Sequence, residues 1–221
     1  MARNPRRLIH VPIIHSVADL GAPARRFGNA FIERFGRTRW RQQADLANDF
    51  WPAVRRALAQ TPLDYRRVDL YQDGLPVCGM ELQLVEQAAA GGSENHRLLL
   101  DLVARGATLI GTEDLTLVLK GYRDIKASLA HGGAEKALAA MSGKAPRHAG
   151  TLARRDAFIA SRIGLTLKPG RFGVLFLGLI HDIGPHLPPD IRVSVIRAHF
   201  SASPKSAWRT RASARGVPPV R

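Results

Sequence analysis

The sequence has few of the residues that cross-link a protein or anchor it in a membrane. Its 221 residues include one cysteine, Cys78, so an intramolecular disulfide is impossible and no second thiol supports a structural zinc site. No apolar run approaches the roughly 18 residues that a membrane span requires. Arginines precede the first apolar segment as in a signal peptide, but His10 and Pro12 interrupt that segment and no small-residue cleavage site follows. We therefore predict a protein of the reducing cytoplasm.

Acidic residues are also scarce. The chain has 18 aspartates and glutamates against 33 lysines and arginines, a formal net charge of +15, which ordinarily indicates a polyanionic partner. The positive charge is spread over several segments, namely 25–41, 55–67 and 205–221. No helix-turn-helix, zinc-finger or aromatic RNA-binding signature accompanies it. We therefore do not expect nucleic acid to be the main partner.

Apolar periodicity and turn residues divide the chain into alternating strands and helices. Short apolar or alternating runs that stop at turn residues predict strands, and apolar residues that recur every three or four positions predict helices. Ser93 is a predicted helix cap and Gly106 ends that helix. The predicted strands are 7–15, 67–73, 107–111, 173–180 and the end of 187–196, and the predicted helices are two within 27–58, one after 79, one from 93, one over 115–129 and one over 154–167. The Gly-, Ala- and Lys-rich residues 131–150 predict a mobile excursion with a short helix.

This alternation predicts one α/β domain over residues 1–198, with a mainly parallel sheet flanked by helices. A chain of this length buries roughly 70% of its unfolded surface, which is enough for a full core. Residues 199–221 have no apolar periodicity and predict a disordered basic tail. In parallel sheets ligands bind beyond the carboxyl ends of the strands. Polar residues occupy those predicted ends: His15, Asp73, Glu113 and His181.

The two strand-end histidines form a candidate site with the nearby acids. The run FGVLFLGLI leads to His181 and Asp182, and an earlier apolar run ends at His15. With Glu113 or Asp73, the histidines would make a two-histidine, one-carboxylate set that can hold zinc, manganese or iron and activate water. Without metal, the same groups can do general acid/base work. The simpler interpretation is that each histidine caps a strand or faces solvent.

Arg155 is the candidate electrostatic group. With Asp156 it opens the predicted helix before the last long strand, a position from which its guanidinium can stabilise an anion at the strand ends. A surface ion pair is the alternative interpretation. Cys78 has no histidine close to it in the sequence, and we interpret it as a core residue rather than a nucleophile.

The histidine motifs resemble those of a known superfamily. PIIH at 12–15 and GLIH at 178–181 are similar to the paired strand-end motifs of the TraB, pheromone-shutdown and erythromycin-esterase-like superfamily. RRDAFIASRI at 154–163 occupies the place of the Arg-Asp helix before the second motif, although Pro12 replaces the glycine of the first. The resemblance spans 8–196, includes a bacterial family of the same layout, and implies an α/β fold with both histidines in one cleft. Its relatives include metal-dependent proteases, esterases, and haem-binding or signalling proteins.

A second resemblance concerns only LIHDIG at 179–184. It is similar to the signature of the HD-domain phosphohydrolases, whose His-Asp pair binds a divalent metal on an all-helical scaffold. This resemblance implies a helix before His181, whereas Gly173 and Gly178 within a β-rich apolar run favour a strand. The structure of residues 172–180 therefore separates the two families.

We interpret the chain as an α/β protein with a metal-dependent hydrolase site. One alternative is a non-catalytic module that binds a small ligand or a partner protein through the same edge, and another is an HD-type phosphohydrolase. The sequence does not define the substrate, small molecule or peptide, or the oligomeric state. The residues assigned to the site are His15, His181 and Asp182 for the metal, and Glu113, Arg155 and Asp73 for catalysis.

Overall fold

A five-stranded sheet forms the centre of the fold in the computed structural model, which describes residues 6–14, 19, 24–141 and 146–196. Every strand pair is parallel, and the strand order is β3-β2-β4-β1-β5. The predicted α/β fold with a parallel sheet is confirmed. The predicted tail at 199–221 lies outside the described residues. The strands are β1 (Arg6–Ile13), β2 (Val68–Gln72), β3 (Thr108–Ile110), β4 (Phe172–Gly178) and β5 (Ile191–Val195).

Helices connect the strands. The cap predicted at Ser93 is confirmed, because its hydroxyl accepts a hydrogen bond from the His96 amide. The excursion predicted for 131–150, with one short helix, is instead mostly helical: the helix from Leu115 breaks at Gly133, whose φ of 66° and ψ of −166° are not helical, a further helix runs to Met141, and the next begins at Pro146. Alanine and lysine give this stretch high helix propensity without a strong apolar stripe. The helices are α1 (Ala24–Phe35), α2 (Arg37–Ala59), α3 (Glu81–Ala90), α4 (Glu94–Ala104), α5 (Leu115–Met141) and α6 (Pro146–Thr166).

Both faces of the sheet are covered by helices. Helices α2, α3 and α4 pack on one face, which we call the α2/α4 face, and α6 packs on the other, the α6 face. On the α6 face, Ile159 and Ile163 are fully buried against Leu8 and Leu175. Each such side chain contributes about 1.5–3 kcal/mol by leaving water. Burial on two faces explains why β4 is apolar throughout rather than alternating.

The connections between strands locate a crevice in the sheet. The chain leaves β2 towards α3 and α4, on the α2/α4 face. It leaves the neighbouring strand β4 towards the α6 face, where Ile183 and Leu187 pack. Neighbouring strands whose connections go to opposite faces open a crevice at their carboxyl ends, where α/β proteins bind ligands. The crevice between β2 and β4 is therefore where the architecture favours a site.

The segment FGVLFLG forms a strand. Strand β4 pairs with β1 on one side and β2 on the other, and it ends at Gly178, two residues earlier than predicted. This segment does not have the helical structure that the HD-domain resemblance implies.

Cys78 is exposed, so its assignment to the core is wrong. Among the described residues, no helix has the length and apolar character needed to cross a membrane.

Candidate functional site

Two acidic side chains follow neighbouring strands at the carboxyl edge of the sheet. Asp73 comes directly after β2, and its amide bonds the Phe176 carbonyl of β4 at 2.8 Å. Glu113 follows β3 and is fully buried. Backbone amides hold both carboxylates: Gly178 donates to Asp73 Oδ2 at 3.0 Å and Gly74 donates to Glu113 Oε1 at 2.6 Å. Gly74 has a φ of 77°, a conformation that glycine adopts without steric cost.

Arg155 bridges the two carboxylates from the α6 face. Its Nε lies 2.5 Å from Glu113 Oε2, and its Nη2 lies 2.6 Å from Glu113 Oε1 and 2.8 Å from Asp73 Oδ1. Since α6 begins at Pro146, Arg155 lies in the middle of that helix, and its predicted place at the helix opening is wrong. The side chain is 20% exposed, so this is a largely buried ion pair and not the surface pair of the alternative interpretation.

Burial and charge act in opposite directions on this ion pair. Burial favours the neutral form of Arg155, but the hydrogen bonds and charges of Glu113 and Asp73 outweigh it and raise the pKa of Arg155. Burial also raises the pKa of Glu113, against the hydrogen bond from Arg155, and the negative charge of Asp73 adds to the rise. The guanidinium is therefore a fixed positive charge. Its Nη1 has no hydrogen-bond partner among the described residues and is not enclosed.

His181 lies between two aspartates. After β4 the chain turns, with the His181 amide bonded to the Gly178 carbonyl at 3.1 Å. The ring is 1% exposed; Nδ1 lies 2.5 Å from Asp156 Oδ1, and Nε2 lies 3.5 Å from Asp73 Oδ2. Because a carboxylate only accepts hydrogen bonds, Nδ1 carries the proton of the short contact. In the neutral ring Nε2 is therefore the basic atom, and it faces Asp73.

A second histidine, His10, lies on the same face of the sheet. It belongs to β1, where it pairs with Leu175 of β4 and Val195 of β5. Burial lowers the pKa of His10 below its ordinary value of 6.5, a hydrogen bond to the Leu177 carbonyl opposes this, and the neighbouring His181 lowers it further. Because His10 alternates with Leu8, which packs on the α6 face, its side chain lies on the α6 side of β1.

The structure brings together four of the six predicted site residues. Asp73, Glu113, Arg155 and His181 form one contiguous cluster at the carboxyl edge. Asp182 is exposed, and only its backbone amide joins the cluster, through a hydrogen bond to Asp156 Oδ2 at 3.1 Å. His15 lies outside the described residues.

The described part of the site does not fit a metal ion. Both ring nitrogens of His181 face aspartates, and Arg155 already holds Asp73 and Glu113. No group of three histidine, cysteine or acidic side chains suited to a metal is present in residues 6–14, 19, 24–141 and 146–196. Zinc, manganese or iron at this site stays a prediction, since it depends on His15.

Sequence reasoning did not assign two residues of this cluster. Asp156 occupies the buried stripe of α6, three residues before Ile159 and seven before Ile163. An acid at an otherwise apolar position of the stripe indicates a buried acid with a polar partner, because acids are seldom fully buried unless paired. The sequence alone contains this signal. His10 lies two residues after Leu8 in β1, so the two side chains are on the same face of the sheet. A titratable residue inside an apolar strand likewise indicates a buried polar group.

A second polar cluster joins Ser93, His96 and Asp19. The Ser93 hydroxyl contacts Asp19 and lies 2.7 Å from His96 Nδ1. These residue types also form nucleophilic triads. Here the serine is fully buried and caps α4, so we interpret this cluster as a structural link between the segment after β1 and the start of α4.

A second ion pair, at the opposite edge of the sheet, is buried to a similar extent as the ion pair of the site. Arg171 Nη2 lies 2.7 Å from Asp69 Oδ1, and the two side chains are 28% and 5% exposed. Asp69 lies on β2, four residues before Asp73. This pair joins β2 to the start of β4 away from the crevice, which makes Asp69 a matched control for the acids of the site.

Comparison of the chain with models of protein families, with curated proteins and with solved structures found no match. The resemblances to the TraB-like superfamily and to the HD-domain phosphohydrolases therefore stay predictions.

Proposed function

We propose that the carboxyl-edge cluster hydrolyses a carbonyl compound, an ester or an amide, with His181 as general base. One observation carries the proposal: a buried imidazole is fixed at Nδ1 by Asp156, at 2.5 Å, and leaves Nε2 as the basic atom. Hydrolases use this pairing of histidine and orienting carboxylate on unrelated folds. The crevice between β2 and β4 is also where the topology favours a ligand.

The positions of His181 and Asp73 suit a water molecule as the nucleophile. Nε2 of His181 and Oδ2 of Asp73 are 3.5 Å apart, too far for a good direct hydrogen bond. One water at about 2.8 Å from each atom satisfies both acceptors, because it has two hydrogens to donate. Its oxygen lone pairs then face away from both groups and towards a substrate.

The proposed reaction follows from these positions. The water oxygen forms a bond to the carbonyl carbon while His181 Nε2 takes one of its protons, and Asp156 stabilises the resulting imidazolium. The carbonyl π electrons move to the oxygen, whose negative charge Arg155 Nη1 stabilises. When the tetrahedral intermediate collapses, the bond to the leaving group breaks and His181 returns its proton to that group.

The charge of the cluster favours a neutral substrate. Three carboxylates, those of Asp73, Glu113 and Asp156, face one guanidinium, so the ionised acids outnumber the guanidinium by two. This excess repels a phosphate group, which counts against a phosphohydrolase. Leu179, next to the site in the chain, is 72% exposed and offers an apolar contact. An uncharged ester or amide with an apolar group fits best.

The test is hydrolysis of p-nitrophenyl acetate and p-nitrophenyl butyrate by the full chain. We expect turnover of both esters and none of p-nitrophenyl phosphate. His181→Gln should lower kcat by about 10²- to 10⁴-fold, the usual contribution of a general base. His186→Gln is the matched control, because His186 is exposed and lies five residues further along the same loop. Equal rates in the two variants would contradict the proposal.

Enclosure of the cluster favours the second candidate, a non-catalytic module whose polar cluster is structural. His181 is 1% exposed and Glu113 is fully buried, whereas a catalytic base must contact its substrate. This candidate predicts no turnover of any p-nitrophenyl ester and an unfolding midpoint that falls in His181→Gln.

The metal-assisted form of the hydrolase remains a proposal that depends on His15. Its test is the metal content per chain of protein purified without a histidine tag. Stoichiometric zinc, manganese or iron that is lost in both His15→Ala and His181→Ala would support it, and metal that survives in both variants would contradict it.

A further inference from the structure

His10 has an enclosed hydrogen-bond acceptor that the proposed reaction does not use. Its Nε2 is enclosed and has no hydrogen-bond partner among the residues that the structure describes. The Leu177 carbonyl, which can only accept, faces the His10 ring; with the proton on Nδ1, Nε2 is a lone pair in the neutral ring. An enclosed acceptor without a donor costs about 1–3 kcal/mol. Such atoms occur where a ligand or an ordered water completes the bond.

The position of His10 joins it to the candidate site. His10 and Leu8 alternate along β1, and Leu8 packs on the α6 face, so His10 faces the same side. His181 folds onto this side too, because its ring bonds Asp156 of α6. On the other flank, the paired residue Val195 is 50% exposed. His10 thus lies between His181 and an open part of the sheet from which a substrate can approach.

We infer that His10 is a substrate-binding residue, whose Nε2 accepts a hydrogen bond from an amide N–H or a hydroxyl of the substrate while His181 activates water. The inference rests on the proposed hydrolysis and narrows its substrates to esters or amides that carry a hydrogen-bond donor near the scissile carbonyl. His10 then contributes to substrate affinity and specificity and takes no part in proton transfer.

A pair of isosteric substrates tests the inference. The p-nitrophenyl ester of N-acetylglycine has an amide N–H where the p-nitrophenyl ester of 4-oxopentanoic acid has a methylene group. Because only the N-acetylglycine ester can donate a hydrogen bond to His10 Nε2, we expect its KM to be about 3- to 10-fold lower than that of the 4-oxopentanoate ester, with similar kcat. Equal KM values for the two esters in the wild type would overturn the inference.

Two variants separate the acceptor from the rest of the side chain. The amide of His10→Gln reaches the position of Nε2 and can accept there, whereas His10→Asn keeps a donor for the Leu177 carbonyl and ends short of that position. We expect His10→Gln to keep the preference for the N-acetylglycine ester and His10→Asn to lose it. A preference that survives in His10→Asn, or an equal loss of kcat for both esters, would contradict a role in substrate binding.

A binding measurement keeps this inference distinct from the hydrolysis. N-acetylglycine N,N-dimethylamide and N,N-dimethyl-4-oxopentanamide are non-ester probes that differ by this one N–H and carry no other, and nitrogen NMR of the imidazole rings reports on His10 Nε2 directly. A saturable shift with the first probe only would support His10 as an acceptor even if no ester were hydrolysed. No shift with either probe, the result expected if only water occupies the position, would overturn the inference.

Discussion

Replacing Arg155 by methionine removes the single guanidinium that joins two buried carboxylates. The variant loses three charge-assisted hydrogen bonds, of 2.5, 2.6 and 2.8 Å. It leaves Glu113, which is fully buried, close to Asp73, whose side chain is 5% exposed. Removing one partner of a buried ion pair costs about 3–5 kcal/mol, because the other partner stays buried without compensation. We expect a loss of about 3 kcal/mol near pH 5 and a larger loss near pH 8.

The pH dependence follows from proton uptake by Glu113. Without Arg155 the pKa of Glu113 rises further, so the folded variant binds a proton that the unfolded chain does not. The free energy of unfolding then falls as the pH rises through this window. Urea unfolding followed by circular dichroism measures the loss, with Arg154→Met, an exposed neighbour, expected within about 0.5 kcal/mol of the wild type. Equal stability of Arg155→Met and Arg154→Met at both pH values would refute the reasoning.

Two further predictions concern stability. In the wild type the pKa of Glu113 is raised, so its contribution to the free energy of unfolding decreases as the pH rises above 4.5. Urea titrations from pH 4.5 to 8 should show that Glu113→Gln lacks this decrease. The same dependence of the unfolding free energy on pH in Glu113→Gln and in the wild type would contradict the prediction. Gly173→Ala should cost about 1–3 kcal/mol, because its Cβ would lie 2.7 Å from Leu8 Cδ1. Gly121→Ala, with nothing within 4 Å in α5, should instead stabilise by about 0.4–1 kcal/mol. Thermal unfolding that ranks the two glycine variants in the opposite order would contradict this account of packing.

The sheet and the edge that carries the site were predictable from local patterns. Central parallel strands are buried on two faces, so the run that became β4 is apolar throughout and ends at glycine. Carboxyl ends of parallel strands meet at one edge, so the sequence alone predicts that Asp73, Glu113 and His181 lie together.

The contacts that define the chemistry depend on residues far apart in the chain. Arg155 and Asp73 are 82 positions apart, and no periodicity specifies that a guanidinium in the middle of α6 reaches the end of β2. The start of α6 was not predictable because residues 146–153 include Pro146 and Gly150, which have the lowest helix propensities, and have no clear apolar stripe. His10 and Asp156 looked like interruptions of apolar patterns, since only the folded chain shows what each contacts.

The most direct test of the site compares two buried aspartates, Asp156 and Asp69. Their side chains are 7% and 5% exposed, but only Asp156 orients His181, whereas Asp69 pairs with Arg171 at the opposite edge. With p-nitrophenyl acetate we expect Asp156→Asn to lower kcat by at least about tenfold, because the wrong imidazole nitrogen then carries the proton. Asp69→Asn should keep the wild-type kcat. Wild-type kcat in Asp156→Asn would contradict the proposal that His181 is the general base.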